Sequence, residues 1–242
     1  MQRIASPSAI CYFLFMSHSV ESHLQLQVTE YDELIRRFIP RYDEMLDEAV
    51  NLVRESFVGA GEFVELGIGT GSLTERVIKA IPKAQIIGID ADPKMLGEAA
   101  RRLSPHQNRI KLRLQDFFSE LPTAQNAYFA ALALHHVPDL SLKQTLYQKI
   151  YRALLPGGLF LNADAMFDES NSNETRKRWA AHLVSAGFAE AEAFDHLRGW
   201  RKEDTYFGLE TEMELLNKAG FSHCDVAWRF GPMAVTIGKK AR

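Results

Sequence analysis

The sequence predicts an α/β fold: a Rossmann-like, seven-stranded, mostly parallel sheet with helices on both faces and one antiparallel C-terminal strand. Three observations predict it. Short apolar runs alternate with stretches of helical periodicity from residue 62 to 166, and such strand–helix alternation makes a parallel sheet covered on both sides. A glycine-rich turn, "GIGTG", joins the first of these strands to the helix after it. The chain then closes on two apolar runs separated by Gly231 and Pro232, which read as a hairpin.

A first helix opens at "TEYD", with Thr29 as N-cap and Asp32 completing a capping box. Pro40 opens a second, because proline at the first helical position forfeits no hydrogen bond. Tyr42, Leu46, Ala49, Val50, Val53 and Phe57 form its apolar stripe. "EFVEL" is the first strand, and Leu73, Val77 and Ile81 mark the helix after the glycines. "QIIGID" is the second strand; Asp92 and Pro93 then cap a helix bearing Leu96, Ala99, Ala100 and Leu103. "RIKLRL" alternates, "AYFAALAL" is a continuous apolar run, and a helix from Ser141 to Leu155 stops at "PGG" before the fifth strand, "LFLNADAM". "CDVAWRF" and "MAVTIGK" form the hairpin. Residues 167–207, polar and rich in aromatic and charged side chains, interrupt the alternation and predict a partly helical lid. The organisation expected is a disordered extension over 1–22 and a single domain over 23–242, with a helical cap at about 29–57.

With 46% hydrophobic and 24% charged residues, the chain has enough apolar content for a real core. A net charge of −3 gives no electrostatic reason to expect a nucleic-acid or membrane partner. Cys11 and Cys224 show neither metal-ligand spacing nor a disulfide framework, so no metal is expected and a reducing, cytoplasmic setting fits. The apolar run from Ala9 to Met16 is too short to span a bilayer and lacks a good signal-peptide cleavage site. Met16 is an alternative start, and the residues before about Val20 read as dispensable.

The stretch "FVELGIGTGSLTERV" carries the chemistry. A strand–glycine loop–helix unit brings main chain and a helix N-terminus against a ligand. A tight turn that holds nothing is the bland alternative. The dinucleotide fingerprint G-x-G-x-x-G is not matched, since Ser72 stands at its third glycine. Asp90, ending the second strand, suits ribose hydroxyls in either case. Glu65 is unhelpful beside a pyrophosphate and suits a ligand carrying an ammonium group.

These segments resemble class I S-adenosylmethionine-dependent methyltransferases over most of the chain. "VELGIGTG", "GIDADPKML", "LQDFFSELP", "ALALHHV" and "LLPGGLF" match that family's motifs in order, and "LLNKAGF" with the hairpin matches its close. The resemblance implies S-adenosyl-L-methionine as cofactor, held by Tyr42, Glu65, Gly67, Ile68, Gly69, Gly71, Asp90, Ala91, Asp116, Phe117 and Ala131. Asp90 would take the ribose, Asp116 and Phe117 the adenine, and amides around Gly67 and Gly69 would add donors. His135 and His136 follow the fourth strand beside the reactive methyl, as catalytic groups or as structural ones. Tyr42 is a cofactor contact or a core residue of its helix; Asp164, at the end of the fifth strand, is a base or a strand-end cap.

Since the motifs from Glu65 to Phe117 serve the cofactor, the acceptor falls to Tyr31, Arg198 and Trp200, the last two in a lid that also holds Arg176, Arg178, Trp179, His182 and Arg201. The function expected is methyl transfer to a small molecule, by a monomer or homodimer, without nucleic acid or membrane. "IPRY" and "KAGF" also resemble carboxy-S-adenosylmethionine synthase, which needs a lid arginine for its extra carboxylate; Arg198 lies close to the matching place. A cofactor-binding protein whose chemistry has lapsed is a third possibility.

Overall fold

The computed structural model describes residues 30–167 and 172–242. The expected extension, the apolar run with Met16, Cys11 and the N-cap Thr29 lie outside the described residues.

Two helices come first, α1 (Tyr31–Phe38) and α2 (Tyr42–Ser56). α1 places Asp32 and Glu33 in its first turn and Arg36 and Arg37 in its last, matching the helix dipole. α2 starts two residues later than Pro40 predicts. Arg41 takes up a left-handed conformation (φ 52°), which breaks the chain between the helices, and its guanidinium lies 4.1 Å from the centre of the Phe230 ring.

The alternating units follow: β1 (Ala60–Leu66), α3 (Ser72–Ala80), β2 (Lys83–Asp90), α4 (Pro93–Arg102), β3 (Ile110–Leu114), β4 (Gln125–Ala131), α5 (Leu140–Ala153) and β5 (Leu154–Ala165). Asp92 caps α4 by accepting from the Lys94 N–H at 2.8 Å, as the sequence predicts. The apolar run of the fourth strand extends to Leu134, but β4 stops at Ala131. Leu132 has φ 51° and Leu134–His136 forms a single 3-10 turn. α5 likewise ends at Ala153, and "PGG" lies within the exposed start of β5 instead of ahead of it.

The lid consists of α6 (Ser172–Ser185) and α7 (Glu190–Trp200); α8 (Leu209–Ala219), β6 (His223–Phe230) and β7 (Met233–Lys239) complete the chain. Among the described residues seven strands form one sheet in the order β3-β2-β1-β4-β5-β7-β6. β7 pairs antiparallel with both β5 and β6, while the other pairings are parallel. Strand order therefore reverses between β1 and β4, and a crevice opens there at the carboxyl ends of the strands.

Alternate strand residues feed the two faces. Phe63, Ile86, Phe129 and Leu161 pack with α2, α3 and the lid; Val64, Ile89, Tyr128 and Phe160 pack with α5 and α8. On the second face Lys143 is buried against Glu212, whose other oxygen accepts from the Tyr147 hydroxyl at 2.5 Å.

The lid is fixed to α1 by two side chains reaching backbone carbonyls. Trp179 Nε1 donates to Phe38 O at 2.8 Å, and Arg37 Nε donates to Ala186 O at 3.1 Å. Trp179 is 2% exposed, so Trp179→Phe leaves a buried carbonyl without its donor. Urea unfolding is expected to show a loss of about 1–2 kcal/mol; unchanged stability would place the anchor elsewhere.

Candidate active site

β1, β2, β4 and β5 deliver Glu65, Asp90, Ala131 and Ala165 to one cavity of about 1240 Å3, counted to its open mouth. α1 and α2 close it with Tyr31, Ile35, Phe38 and Tyr42; the lid closes it with Trp179, Trp200, Asp204 and Tyr206.

The three loop glycines answer different needs. A Cβ on Gly67 would come within 2.4 Å of the Ala133 methyl, and one on Gly71 within 2.9 Å of Leu103. Both positions are demanded by packing, and Gly71 is not on the cavity wall. Gly69 faces open space. The loop's donors are already engaged: Gly67 and Ile68 donate to Ile89 O at 2.8 and 3.0 Å, Gly71 to Ile68 O at 2.9 Å, and Gly69 to Asp90 Oδ2 at 2.8 Å. The Gly67 and Gly69 amides thus have partners within the protein, although both residues line the cavity. Such a loop is a poor cradle for pyrophosphate, which binds through backbone donors.

Glu65 is 2% exposed. Burial pushes its carboxyl up to about 8; the Thr74 hydroxyl, which donates to it, works the other way, and Asp90 adds to the rise. Burial also lifts Asp90 to about 6 against the N–H groups of Asp92, at 2.9 Å, and Gly69. Among the described residues no lysine or arginine lines the cavity. Two buried acids, with Phe117 and Ala91 beside them, make a set of acceptors suited to a cationic ligand bearing hydroxyls and a flat ring. Asp116 is not on the wall. Its Oδ1 accepts from the N–H groups of Phe118 and Ser119, each at 2.7 Å, and so shapes the turn that presents Phe117.

Tyr42 sits both in the buried stripe of α2 and on the cavity wall. Burial raises its hydroxyl pKa, with the Ser72 hydroxyl opposing. Burial and the neighbouring Tyr42 and Asp90 also raise that of Tyr31. Asp32, read from sequence as a capping residue, instead latches α1 to the glycine loop: it accepts from Thr70 Oγ1 at 2.7 Å and pairs with Arg102 of α4.

At the other end, Asp164 organises the turn after β4. Its Oδ2 accepts from the N–H groups of Leu134 and His135, both at 3.0 Å, and its Oδ1 lies 2.6 Å from His135 Nδ1. Burial disfavours charge on His135, but the carboxylates of Asp164 and Asp204 outweigh it and push the imidazole up to about 9. Burial opposes ionisation of Asp164 too, yet His135 holds it below the usual carboxylate range. Asp204 lies 3.1 Å from His136 Nδ1 and 3.8 Å from His135 Nε2, and Thr205 N donates to His135 O at 2.7 Å. The segment after α7 is thus docked onto the histidine turn.

The structure brings Tyr31 and Trp200 to the cavity but not Arg198. Arg198 is exposed, pairs with Asp195, and borders a separate shallow groove with Arg176, Lys177 and Arg201. Residues two apart on a helix point in nearly opposite directions, so Trp200 facing in turns Arg198 out. Sequence reasoning missed Thr70, Asp204 and Tyr206. No periodicity or motif marks the last two, which follow α7 in an irregular segment.

A family model described as a methyltransferase domain matches residues 63–158. Ubiquinone/menaquinone biosynthesis C-methyltransferase UbiE of Syntrophotalea carbinolica is 33% identical over 53% of this chain, which spans 58% of that relative's length. Carboxy-S-adenosyl-L-methionine synthase of Nautilia profundicola is 21% identical over 87% of this chain and 90% of its own. A solved structure, a putative S-adenosyl-L-methionine-dependent methyltransferase from Methanococcus maripaludis, shares the fold at a TM-score of 0.64 and 17% identity, over 93% of this chain and 97% of that one. No helix among the described residues is long and apolar enough to cross a membrane. The five motifs, the strand order and these matches agree that the chain carries a methyltransferase domain over residues 63–158, of the kind that uses S-adenosylmethionine as cofactor.

Proposed function

We propose that the protein transfers the methyl group of S-adenosylmethionine to a small organic acceptor bound under the lid. The observation that carries this is a roofed cavity with acids at Glu65 and Asp90 and with His135 and Asp204 among aromatic side chains. In this reading the Glu65 end holds the cofactor's amino acid portion, Asp90 the ribose hydroxyls, and Phe117 the purine face. Trp179, Trp200 and Tyr206 roof the acceptor end, where His135 and Asp204 supply its polar edge. The cofactor supplies an electrophilic methyl whose carbon–sulfur electron pair returns to sulfur as the bond to the acceptor forms. The protein's work is alignment and exclusion of water. A hydroxyl or amine acceptor would pass its proton to the Asp204 carboxylate as the new bond forms, since His135 is already protonated at neutral pH; a carbanionic acceptor would pass none there.

Incubation with methyl-labelled cofactor and a cell extract tests the proposal. Label is expected in the small-molecule fraction; label confined to RNA or protein would overturn it.

The relatives named carboxy-S-adenosylmethionine synthase favour a second reading, since they align over most of the chain. That chemistry calls for a cation against the added carboxylate, and the cavity wall offers none among the described residues. Arg198→Ala is accordingly expected to leave cofactor affinity and turnover within about twofold of wild type, as exposed charges contribute little. A tenfold loss in either would revive the second reading.

A further inference from the structure

We propose that His135, His136 and Asp204 form a three-ligand site for a divalent transition-metal ion at the acceptor end of the cavity. One ligand atom from each residue lies within 4.8 Å of the others. The separations in the structure, 3.1 Å from Asp204 Oδ1 to His136 Nδ1 and 3.8 Å to His135 Nε2, bracket the spacing of neighbouring ligands around an ion with bonds of about 2.0–2.2 Å.

The outer contacts have the form such a site needs. Asp164, 1% exposed, takes His135 Nδ1 at 2.6 Å, which fixes the ring and directs Nε2 toward Asp204. A carboxylate behind a ligating imidazole is the usual partner that orients the ring and raises its basicity. Asp164 is itself tied down by the N–H groups of Leu134 and His135, so the arrangement is rigid. The carboxylate that completes the set is held by the Tyr206 hydroxyl at 2.6 Å from Asp204 Oδ2. All three ligands border the cavity, so a coordination position faces the acceptor.

Two imidazoles and one carboxylate favour zinc, iron(II) or cobalt(II) over calcium or magnesium, which prefer all-oxygen sets. Three protein ligands with an open position is the form of a catalytic site rather than a structural one. A cation there would polarise an acceptor oxygen or nitrogen as a Lewis acid. It would also tie the segment after α7 to the histidine turn, linking the seating of the lid to readiness of the site. No motif marks this site, because Asp204 is remote from the histidines in the chain and is brought to them only by the lid.

The test uses the full chain, stripped with a chelator and titrated with cobalt(II). Visible d–d absorption should saturate at one ion per chain. His136→Ala and Asp204→Asn should each weaken binding at least tenfold, with circular dichroism confirming the fold. Absence of the bands in wild type, or equal affinity in wild type and both folded variants, would overturn the proposal. S-adenosylhomocysteine binding, measured on the same stripped samples, reports on the cofactor reading separately, so failure of one is not mistaken for failure of the other.

Discussion

Asp90→Ala is expected to weaken S-adenosylhomocysteine binding by about 1.5–3 kcal/mol, roughly 10- to 150-fold. Two losses coincide. The carboxylate that would take the ribose hydroxyls disappears, and charge-assisted hydrogen bonds are among the stronger ones. The same carboxylate accepts from Gly69 N and Asp92 N, so its removal frees the glycine loop and the cap of α4 together. Asp90→Asn keeps an acceptor for one of these amides and should fall between wild type and alanine. Calorimetry giving an unchanged dissociation constant in a folded Asp90→Ala protein would show that the ribose is held elsewhere.

The second large effect is on pH. Burial raises Glu65 from 4.5 to about 8, so the free protein carries it protonated at neutral pH. A group whose pKa is raised by folding contributes stability below its unfolded value and loses it as pH climbs through the folded value. Glu65 therefore makes the empty protein progressively less stable from about pH 4.5 to 8. A ligand ammonium reverses this, because it pairs only with the carboxylate. Affinity for S-adenosylhomocysteine should rise about tenfold per pH unit from pH 6 to about 7.5 and flatten above about 8, with close to one proton released on binding. Below pH 6 the titration of Asp90, raised to about 6, steepens the fall. Glu65→Gln should bind more weakly and lose the slope between pH 6 and 8. A flat profile in wild type would mean that Glu65 does not meet the ammonium.

How much of this was legible in the sequence follows from distance along the chain. Each strand was readable because a strand buried on both faces is a short apolar run and a helix beside it has its own period. Boundaries failed where the backbone does something no periodicity encodes, as at Leu132 and Arg41, both with positive φ. The cofactor half of the site was legible because Glu65, the glycine loop and Asp90 lie within one strand–helix–strand unit. In the acceptor half Tyr31, His135, Asp164 and Trp200 were named one by one, but not their juxtaposition, and Asp204 was missed, because they come from five elements or segments that only the fold brings together. Arg198 and Trp200 were both assigned to the acceptor because composition drew attention to the lid. Helical geometry permits one of them, and the larger apolar surface of tryptophan decides which is buried.

The latch between α1 and the glycine loop bears on residence time. Asp32 holds the helix through Thr70 and Arg102, and Tyr31, Ile35 and Phe38 of that helix form part of the wall. This hydrogen bond and ion pair add to the core packing of Ile35 and Phe38 and to the ties between α1 and the lid, so opening of the helix would contribute its own barrier to dissociation on that side. An ion pair only partly shielded from solvent weakens with ionic strength. Raising the salt concentration is then expected to loosen this latch and to speed release of a bound ligand on that side.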